Sequence, residues 1–298
     1  QCRPRLVGFV NCTQAQIADI TLLNSAFWTF HLVGSRYVTI DSITVIGDFL
    51  TPNNDALDIH NSAYVTVLNS NFNTADDGIC PKSVFGPTHD VYVYNCTIRS
   101  KSGAVKFGSN TYMDLYNFVF DRLTIWQSHR GLAIQLRDPG NITNITFSNS
   151  VVQTQNYHPD WWGASEPIYI TAIEREPGLP VGTATDLLFV NISISSEQGV
   201  FIAGSLSSLI RNVTLRNVSV LVDCWSEWAG GMHDYRPSFR GLQNHPNLLF
   251  AEYASDIYVQ DSEFAWGANV QSNWGTSLDT TPFTVQDVVW DNTVFSNP

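Results

Sequence analysis

The sequence predicts an all-β fold, a right-handed parallel β-helix of about ten coils, and three observations support this prediction. One phrase, in which apolar residues alternate with polar ones and end on Asn or Asp, returns ten times along the 298 residues. Most steps between phrases are of about 21 to 27 residues, the length of one coil in a solenoid of strands. No stretch shows the period of about 3.6 residues that marks a helix. A β-sandwich, the alternative, would show turn signals about every 8–12 residues without this long register.

Aligning the phrases places one apolar position in the same row of every coil. The aligned residues are Ile17, Val38, Val65, Val91, Phe118, Ile145, Leu187, Val213, Ile257 and Val288. The steps from Ile145 to Leu187 and from Val213 to Ile257 exceed one coil. The extra residues are predicted to form loop insertions near 154–183 and 223–250 of a single β-helix domain that spans residues 1–298.

Both predicted insertions are rich in aromatic residues. The first contains Trp161 and Trp162, and the second contains Trp225 and Trp228. Insertions in a solenoid loop out on one face and often wall the binding site. Aromatic faces stack on sugar rings, and the same side chains can instead pin the loops onto the helix. The sequence leaves both interpretations open.

Charge and cysteine content restrict the partners and the compartment. The net charge of −12 argues against nucleic acid or an anionic membrane as a partner. No apolar run reaches the length of about 20 residues that spans a bilayer. We expect a secreted, extracellular monomer with disulfides, for which Cys80–Cys96 is the favoured pair and Cys2–Cys12 the second. Seven Asn-X-Ser/Thr triplets favour a secreted glycoprotein and do not show which sites are modified; they are headed by Asn11, Asn95, Asn141, Asn144, Asn191, Asn212 and Asn217.

Carboxylates are concentrated between Asn53 and Lys82. Asp55 and Asp76 are 21 residues apart, about one coil, so they are predicted to stack on neighbouring rungs with Asp77 beside them. Crowded carboxylates repel, and their pKa values move apart. Such a patch can hold one carboxylic acid and one carboxylate at the same pH, as glycoside hydrolysis requires. Asp and Asn also occur at solenoid turns for purely structural reasons.

Two motifs in this stretch resemble those of the polygalacturonase family, glycoside hydrolase family 28. Asn53-Asn54-Asp55-Ala56-Leu57-Asp58 is similar to the Asn-Thr-Asp-Gly-Phe-Asp motif of that family, and the run from Ala75 to Cys80 resembles its paired-Asp motif. The resemblance implies a β-helical inverting hydrolase of an α-linked, pectic polysaccharide. It implies that Asp76 is the general acid, while Asp55 and Asp77 hold and activate the water. Asp58 is interpreted as structural support for the loop.

Two other motifs depart from the family pattern. The run from Ser102 to Ser109 has no histidine where the family places Gly-His-Gly, and the run from Gly131 to Gln135 lacks both cations of the family's Arg-Ile-Lys motif. Losing a bidentate arginine removes a charge-assisted grip on a uronate. The sequence therefore favours a rhamnogalacturonan-like or xylogalacturonan-like substrate over plain homogalacturonan. The candidate substrate contacts are Lys106, Arg130, Gln135, His60, Trp161 and Trp162.

Two other classes of function remain open on the sequence. A calcium-dependent polysaccharide lyase of the same fold would bind Ca²⁺ with Asp55, Asp76 and Asp77 and use Lys106 or Arg130 as its base. A non-catalytic glycan-binding β-helix would explain the lost histidine and cations, but it has no need of three crowded carboxylates. The histidines and cysteines have no metal-ligand spacing, and no motif indicates a cofactor.

Overall fold

A computed structural model of the chain describes residues 3–270, 274, 276–281 and 283–296. Every regular element in these ranges is a β-strand, which confirms the all-β prediction. The strands in chain order are β1 Val7–Val10, β2 Thr13–Ala18, β3 Thr21–Leu23, β4 Phe30–Val33, β5 Arg36–Asp41, β6 Thr44–Ile46, β7 Leu57–His60, β8 Ala63–Leu68, β9 Asn71–Thr74, β10 Ile79–Lys82, β11 Thr88–Tyr94, β12 Thr97–Ser100, β13 Gly103–Phe107, β14 Leu115–Asp121, β15 Thr124–Ser128, β16 Arg130–Leu136, β17 Ile142–Thr154, β18 Ile168–Ala172, β19 Ala184–Ser196, β20 Val200–Ala203, β21 Ile210–Val222, β22 Met232–Asp234, β23 Leu242–Asn244, β24 Leu249–Glu252, β25 Ala254–Gln260, β26 Glu263–Trp266, β27 Leu278–Thr280, β28 Val285–Asp291 and β29 Val294–Phe295.

The strands stack in columns of parallel partners. In the described ranges one column, here called sheet A, has ten strands, one from each coil, in the order β1-β4-β7-β10-β13-β16-β18-β20-β24-β27. Two further columns of parallel strands begin with β2 and with β3. They merge in the later coils, where each of the 13-residue strands β17, β19 and β21 belongs to both columns. The predicted parallel β-helix of about ten coils is confirmed.

The register of the coils follows the aligned apolar row. Val38 pairs with Val65, and the row continues through every predicted position as far as Val288. The first position is wrong by two residues, because Val38 pairs with Ala15 while Ile17 pairs with Ile40. The first step is therefore longer than the alignment assumed, and the alternation of apolar residues hid the shift.

The coils turn at corners that use left-handed backbone. Among the residues that the structure describes, two columns with positive φ, ten residues in each, run along the helix, and Asn and Asp dominate them because they tolerate this conformation best. The first column is Gln14, Tyr37, Tyr64, Asp90, Asn117, Asn144, Asp186, Asn212, Asp256 and Asp287. The second is Asp19, Ser42, Asn69, Asn95, Arg122, Asn149, Asn191, Asn217, Asp261 and Asn292.

These corners account for most of the Asn-X-Ser/Thr triplets. Five of the seven triplet asparagines lie in the two columns, and the residue after each is buried in the core. Their side chains form ladders from coil to coil: the Nδ2 of Asn191 donates to the Oδ1 of Asn149, and the Nδ2 of Asn217 donates to the Oδ1 of Asn191, both at 2.9 Å. The triplet pattern therefore has a structural origin, and glycosylation at these positions stays a prediction.

The predicted insertions differ from a simple pair of loops. Strand β18 of sheet A lies inside the first, so the extra residues form two loops, at 155–167 and 173–183. The second insertion contains the antiparallel hairpin β22–β23. Its Tyr235 packs against Phe201, with ring centroids 5.2 Å apart, and belongs to an apolar cluster that includes Tyr169 and Phe250. The second insertion thus covers the outer face of sheet A on the later coils.

The predicted disulfide between Cys80 and Cys96 is not formed, and both cysteines are free. Cys80 lies on the outer face of β10, where its Sγ is 3.1 Å from the carbonyl oxygen of Gly108. Cys96 faces the interior, where it belongs to the hydrophobic core. The prediction relied on the short distance between the two cysteines along the chain. It is wrong because their side chains lie on opposite sides of the coil wall. Cys2, of the second expected pair, lies outside the described residues. In the described part of the chain, no helix is long and apolar enough to cross a bilayer.

Candidate active site

A cavity of about 310 Å³ opens on the outer face of sheet A, above β7, β10 and β13. Six of the nine predicted site residues line it, namely Asp55, Asp76, Asp77, Lys106, Trp161 and Trp162. Trp28, Lys82 and Ser102 also line it, and the sequence analysis did not single out these three. The structure therefore places the predicted carboxylates in one cavity whose walls include tryptophan side chains.

The rung that holds the carboxylates differs from the prediction. Leu57 pairs with Ile79, and the ladder continues backwards through a hydrogen bond from the Ala56 amide to the carbonyl oxygen of Asp77. Asp55 therefore stacks on Asp77, and Asp76 lies one residue to the side. The predicted stacking of Asp55 on Asp76 is wrong because this coil has one residue more than the assumed 21.

Asn53 and Asn54 hold the turn that carries the paired carboxylates. The Oδ1 of Asn54, which is fully buried, accepts hydrogen bonds of 3.0 Å from the amides of Ala75 and Asp76. Asn53 has a positive φ of 57°, and its amide donates to the Oδ2 of Asp76 at 3.0 Å. The first motif therefore fixes the position of the second across neighbouring coils.

Asp77 is the carboxyl group whose surroundings favour the ionised form. Its Oδ2 is 2.6 Å from the Nζ of Lys106, and its Oδ1 accepts hydrogen bonds from the Ser102 hydroxyl at 2.7 Å and the Gly103 amide at 3.2 Å. Burial alone would raise the pKa of Asp77, but the charges of Lys106 and Lys82, together with hydrogen bonds, outweigh it and lower the pKa.

Asp55 and Asp76 have the opposite electrostatic environment. Burial, with the charges of Asp58 and Asp76, raises the pKa of Asp55 well above its ordinary value. Burial and the neighbouring Asp77 raise the pKa of Asp76. One cavity therefore contains carboxyl groups whose pKa values are shifted in opposite directions, which is the arrangement expected of a general acid and a general base.

Lys82 is the main site residue that the sequence analysis missed. Its ammonium contacts Asp58 closely, lies 3.5 Å from the Oδ2 of Asp55, and lies 4.5 Å from the centre of the Trp28 ring. The alternation along Ile79–Lys82 was a usable signal, because Cys80 and Lys82 must both face outward when Ile79 faces the core. Asp58, interpreted as structural, is fully buried beside Lys82 and does not line the cavity.

Three predicted substrate contacts lie away from the cavity. Arg130 is 1% exposed, and its guanidinium donates to Glu166, Gln135 and the carbonyl oxygen of Asp234. Gln135 is fully buried, and its Oε1 accepts the hydrogen bond from Arg130. His60 is hydrogen-bonded to His31 at 2.9 Å, behind Trp28. None of the three lines the cavity, because Arg130 and Gln135 are buried and His60 lies behind Trp28 of the preceding coil.

One set of donors at the cavity floor has the spacing of a metal site. An oxygen of Asp55, an oxygen of Asp77 and the Sγ of Cys80 all lie within 4.8 Å of one another. The Nζ of Lys82 already contacts Cys80 at 2.9 Å, and Lys106 contacts Asp77. These two ammonium groups supply the positive charge that the carboxylates need, so the donor set does not fit a metal ion well.

The solenoid and its cavity define the class of protein. A parallel β-helix with a groove of carboxylates between tryptophan side chains is suited to binding and processing a polysaccharide. The sequence model of the family described as glycosyl hydrolases family 28 matches residues 1–221 of this chain. The chain belongs to this family.

Relatives and solved structures agree with the family. Exopolygalacturonase B of Aspergillus niger is 28% identical over 240 residues, which are 73% of this chain and 53% of that protein. Exo-poly-alpha-D-galacturonosidase of Dickeya chrysanthemi is 28% identical over 162 residues, which are 51% of this chain and 27% of that protein. The probable exopolygalacturonase B of Aspergillus terreus is 28% identical over 161 residues, which are 49% of this chain and 36% of that protein. The chain thus spans about a quarter to a half of the length of these relatives.

The fold is similar to that of a hyperthermoactive exopolygalacturonase from Thermotoga maritima. The TM-score is 0.53 at 16% identity, with 98% of this chain and 55% of that chain covered. For a family 28 exopolygalacturonase from Yersinia enterocolitica the TM-score is 0.54 at 16% identity, with 98% and 47% covered. At this identity the similarity concerns the fold.

Proposed function

We propose that the protein is an inverting glycoside hydrolase that cleaves α-linked bonds in a pectic or related polysaccharide. The observation that carries this proposal is the convergence of Asp55, Asp76 and Asp77 in one cavity, with the pKa of Asp77 lowered and that of Asp76 raised. Inversion requires one protonated carboxyl group and one carboxylate on opposite sides of the scissile bond. Asp76 donates the proton to the leaving oxygen, and Asp77 activates the water.

Asp55 is proposed to position that water together with Asp77. An oxygen of each lies within 4.8 Å of the other, a distance that one water molecule can bridge with two hydrogen bonds. The Oδ1 of Asp55 is buried and has no hydrogen-bond partner among the described residues. A buried polar atom of this kind is costly unless a ligand or water satisfies it.

The sugar at the cavity floor is proposed to be neutral, as in a rhamnogalacturonan-like polymer. Ala133 and Gln135 stand where the family has its arginine and lysine, and both are fully buried. Lys82 and Lys106 at the floor already have close carboxylate partners, Asp58 for Lys82 and Asp77 for Lys106. A uronate at this point would meet carboxylates without an unpaired cation, so homogalacturonan is the less favoured substrate.

Cleavage is proposed to occur near a chain end. The outward row of sheet A continues from Lys106 to Ala133, Tyr169, Phe201 and Phe250. The last four are at most 2% exposed beneath the second insertion, so a polymer has no path along the later coils. The names of the relatives, exopolygalacturonases, agree with this. Because its substrate is a large extracellular polymer, we propose that the protein acts outside the cell.

The lyase alternative is less favoured. Arg130 is held in a buried ion pair with Glu166, and the Asp77 carboxylate raises the pKa of Lys106 although burial alone would lower it. Neither side chain can serve readily as a base that removes a proton from the sugar. The non-catalytic alternative does not explain why three carboxylates share one cavity.

A reducing-end assay on homogalacturonan, rhamnogalacturonan and xylogalacturonan tests the proposal. We expect release of mono- or disaccharides from the start of the reaction on at least one polymer, and rhamnogalacturonan first. Asp76→Asn should lower the rate by about 10²–10⁴-fold while polymer binding persists. Activity in the Asp76→Asn variant close to that of the wild type would refute the role of Asp76. Products that absorb in the ultraviolet would indicate a lyase.

A further inference from the structure

A cluster of cations and aromatic rings lies beside the cavity and is not needed for the proposed chemistry. Here called the flank cluster, it consists of Arg99, Lys101, Phe49, Trp126, Tyr157 and Trp161. The guanidinium of Arg99 lies 4.2 Å from the ring centre of Phe49 and 4.8 Å from that of Trp126. The Nζ of Lys101 lies 4.9 Å from the ring centre of Trp161, which also lines the cavity. The cluster and the cavity therefore share one wall.

The cations of the flank cluster have no carboxylate at salt-bridge distance in the described part of the chain. Among the described residues, neither Arg99 nor Lys101 forms a salt bridge; the Nζ of Lys101 donates to the carbonyl oxygen of Phe49 at 2.7 Å. The Nε of Arg99 is buried without a hydrogen-bond partner. Each cation at the cavity floor, in contrast, has a carboxylate within 4 Å. The protein has a net charge of −12, and these two adjacent cations without a salt bridge lie beside a cavity lined by carboxylates.

The local fold explains how these residues meet. Arg99 is on β12, where it pairs with Asn73, three residues before Asp76, and Lys101 follows it, so the stacking of neighbouring coils fixes their position relative to the carboxylates. Phe49 comes from the loop before β7, and Trp161 from the first insertion. All of these side chains are at least partly exposed. The rings hold the cations in place from two sides and leave them accessible to a ligand.

We propose that the flank cluster is a subsite for the carboxylate of a uronate unit, next to the sugar that is cleaved. This inference rests on the proposed function and deepens it. Ring faces stack on the apolar face of a sugar, and a guanidinium and an ammonium bind its carboxylate with charge-assisted hydrogen bonds. With a neutral sugar at the floor and a uronate at the flank, the substrate is a polymer in which acidic and neutral sugars alternate.

Binding to an inactive background tests the subsite separately from catalysis. In the Asp76→Asn protein, affinity for three probes is measured by titration calorimetry: trigalacturonate, its methyl-esterified form, and an alternating rhamnose–galacturonate tetrasaccharide. Arg99→Gln/Lys101→Gln should weaken binding of the two acidic probes about tenfold or more, because each charge-assisted hydrogen bond contributes on that scale. Binding of the esterified probe should change by less than about threefold.

Matched variants control for charge and folding. Arg122→Gln removes a cation that lies over the ring of Tyr94 on another face of the helix, 5.6 Å from its centre, and should leave all three affinities unchanged. Lys101→Arg should retain acidic-probe binding. Affinity of the Asp76→Asn protein for trigalacturonate should also fall as salt is raised.

The outcomes of the two proposals are distinguishable. If acidic probes bind through the flank cluster but no polymer is hydrolysed by the wild-type protein, the subsite stands and the proposed hydrolase function fails. If the Arg99→Gln/Lys101→Gln variant loses affinity for the acidic and the esterified probes equally, the proposed subsite is overturned. If none of the three probes binds, the proposed subsite is overturned as well.

Discussion

Replacing Lys106 by methionine tests whether the Asp77 carboxylate depends on its ion pair. The Nζ–Oδ2 distance is 2.6 Å, and the two residues are only 6% and 2% exposed. Coulomb's law with an effective dielectric constant of about 20 gives roughly 6 kcal/mol of gross attraction at that distance. Burial of both charges opposes this, and removing one partner of a buried pair costs about 3–5 kcal/mol. We expect Lys106→Met to lower the free energy of unfolding at pH 7 by this amount.

A double-mutant cycle measured by urea unfolding, with tryptophan fluorescence as the signal, separates the pair from its surroundings. Asp77→Asn in the Lys106→Met background removes the unpaired charge, so the double variant should be more stable than the Lys106→Met variant by about 2 kcal/mol. Because the pKa of Asp77 is lowered on folding, its stabilisation is present above its unfolded pKa and is lost as the pH falls through its folded pKa. The wild type and Lys106→Met should therefore converge at low pH. A coupling energy below about 0.5 kcal/mol would refute the reasoning.

Three further predictions follow from the site and the corners. The value of kcat/KM should fall on the alkaline side when Asp76, whose pKa is raised, loses its proton. On the acid side it should fall only at a pH below the ordinary pKa range of an Asp, where Asp77 becomes protonated. A rate that rises steadily to pH 9 would contradict this prediction. Gly78→Ala should cost about 1–3 kcal/mol and at least tenfold in kcat, because a Cβ there would lie 2.5 Å from the carbonyl oxygen of Ala104 and displace the paired carboxylates; wild-type stability and kcat would be the contrary result. Asn191→Ala should cost about 2 kcal/mol in urea unfolding and Asn191→Gly less, because only glycine relieves the positive φ of 57°; equal costs would locate the effect in the side-chain ladder alone.

Much of the fold could be predicted because the coil repeats its own constraints. The apolar row from Val38 to Val288 is visible in the sequence, since inward residues must be apolar in every coil and corner residues must tolerate a positive φ. The error at Ile17 arose where the alternation offers two equivalent alignments. The Cys80–Cys96 prediction failed for a different reason, because it used distance along the chain and ignored the side of the wall that each residue faces.

The site was predictable where its residues lie close together in sequence. Asp55, Asp76 and Asp77 come from adjacent coils, so motif spacing was sufficient to group them. Arg130 and Gln135 could not be assigned in this way, because Arg130 is held by Asp234, about 100 positions later in the chain, and Gln135 is buried against Arg130. Trp28 and Lys82 escaped because neither belongs to a motif, although their strands place them beside the carboxylates.

The flank cluster shows the same limitation. Arg99 and Lys101 are ordinary surface cations in the sequence, and only the folded chain brings Phe49, Trp126 and Trp161 around them. Their partners come from two different coils and one insertion. No periodicity in the sequence predicts such contacts, because the contacts depend on how loops of unequal length fold back over the solenoid.

The most direct test of the account is the anomeric configuration of the first product formed by the wild-type protein. Proton NMR during hydrolysis of rhamnogalacturonan, before mutarotation, should show the β-anomer from an α-linked substrate, because Asp77 delivers water to the face opposite the leaving group. Initial formation of the α-anomer would mean retention of configuration. That result would contradict the assignment of Asp76 as acid and Asp77 as base on which the account depends.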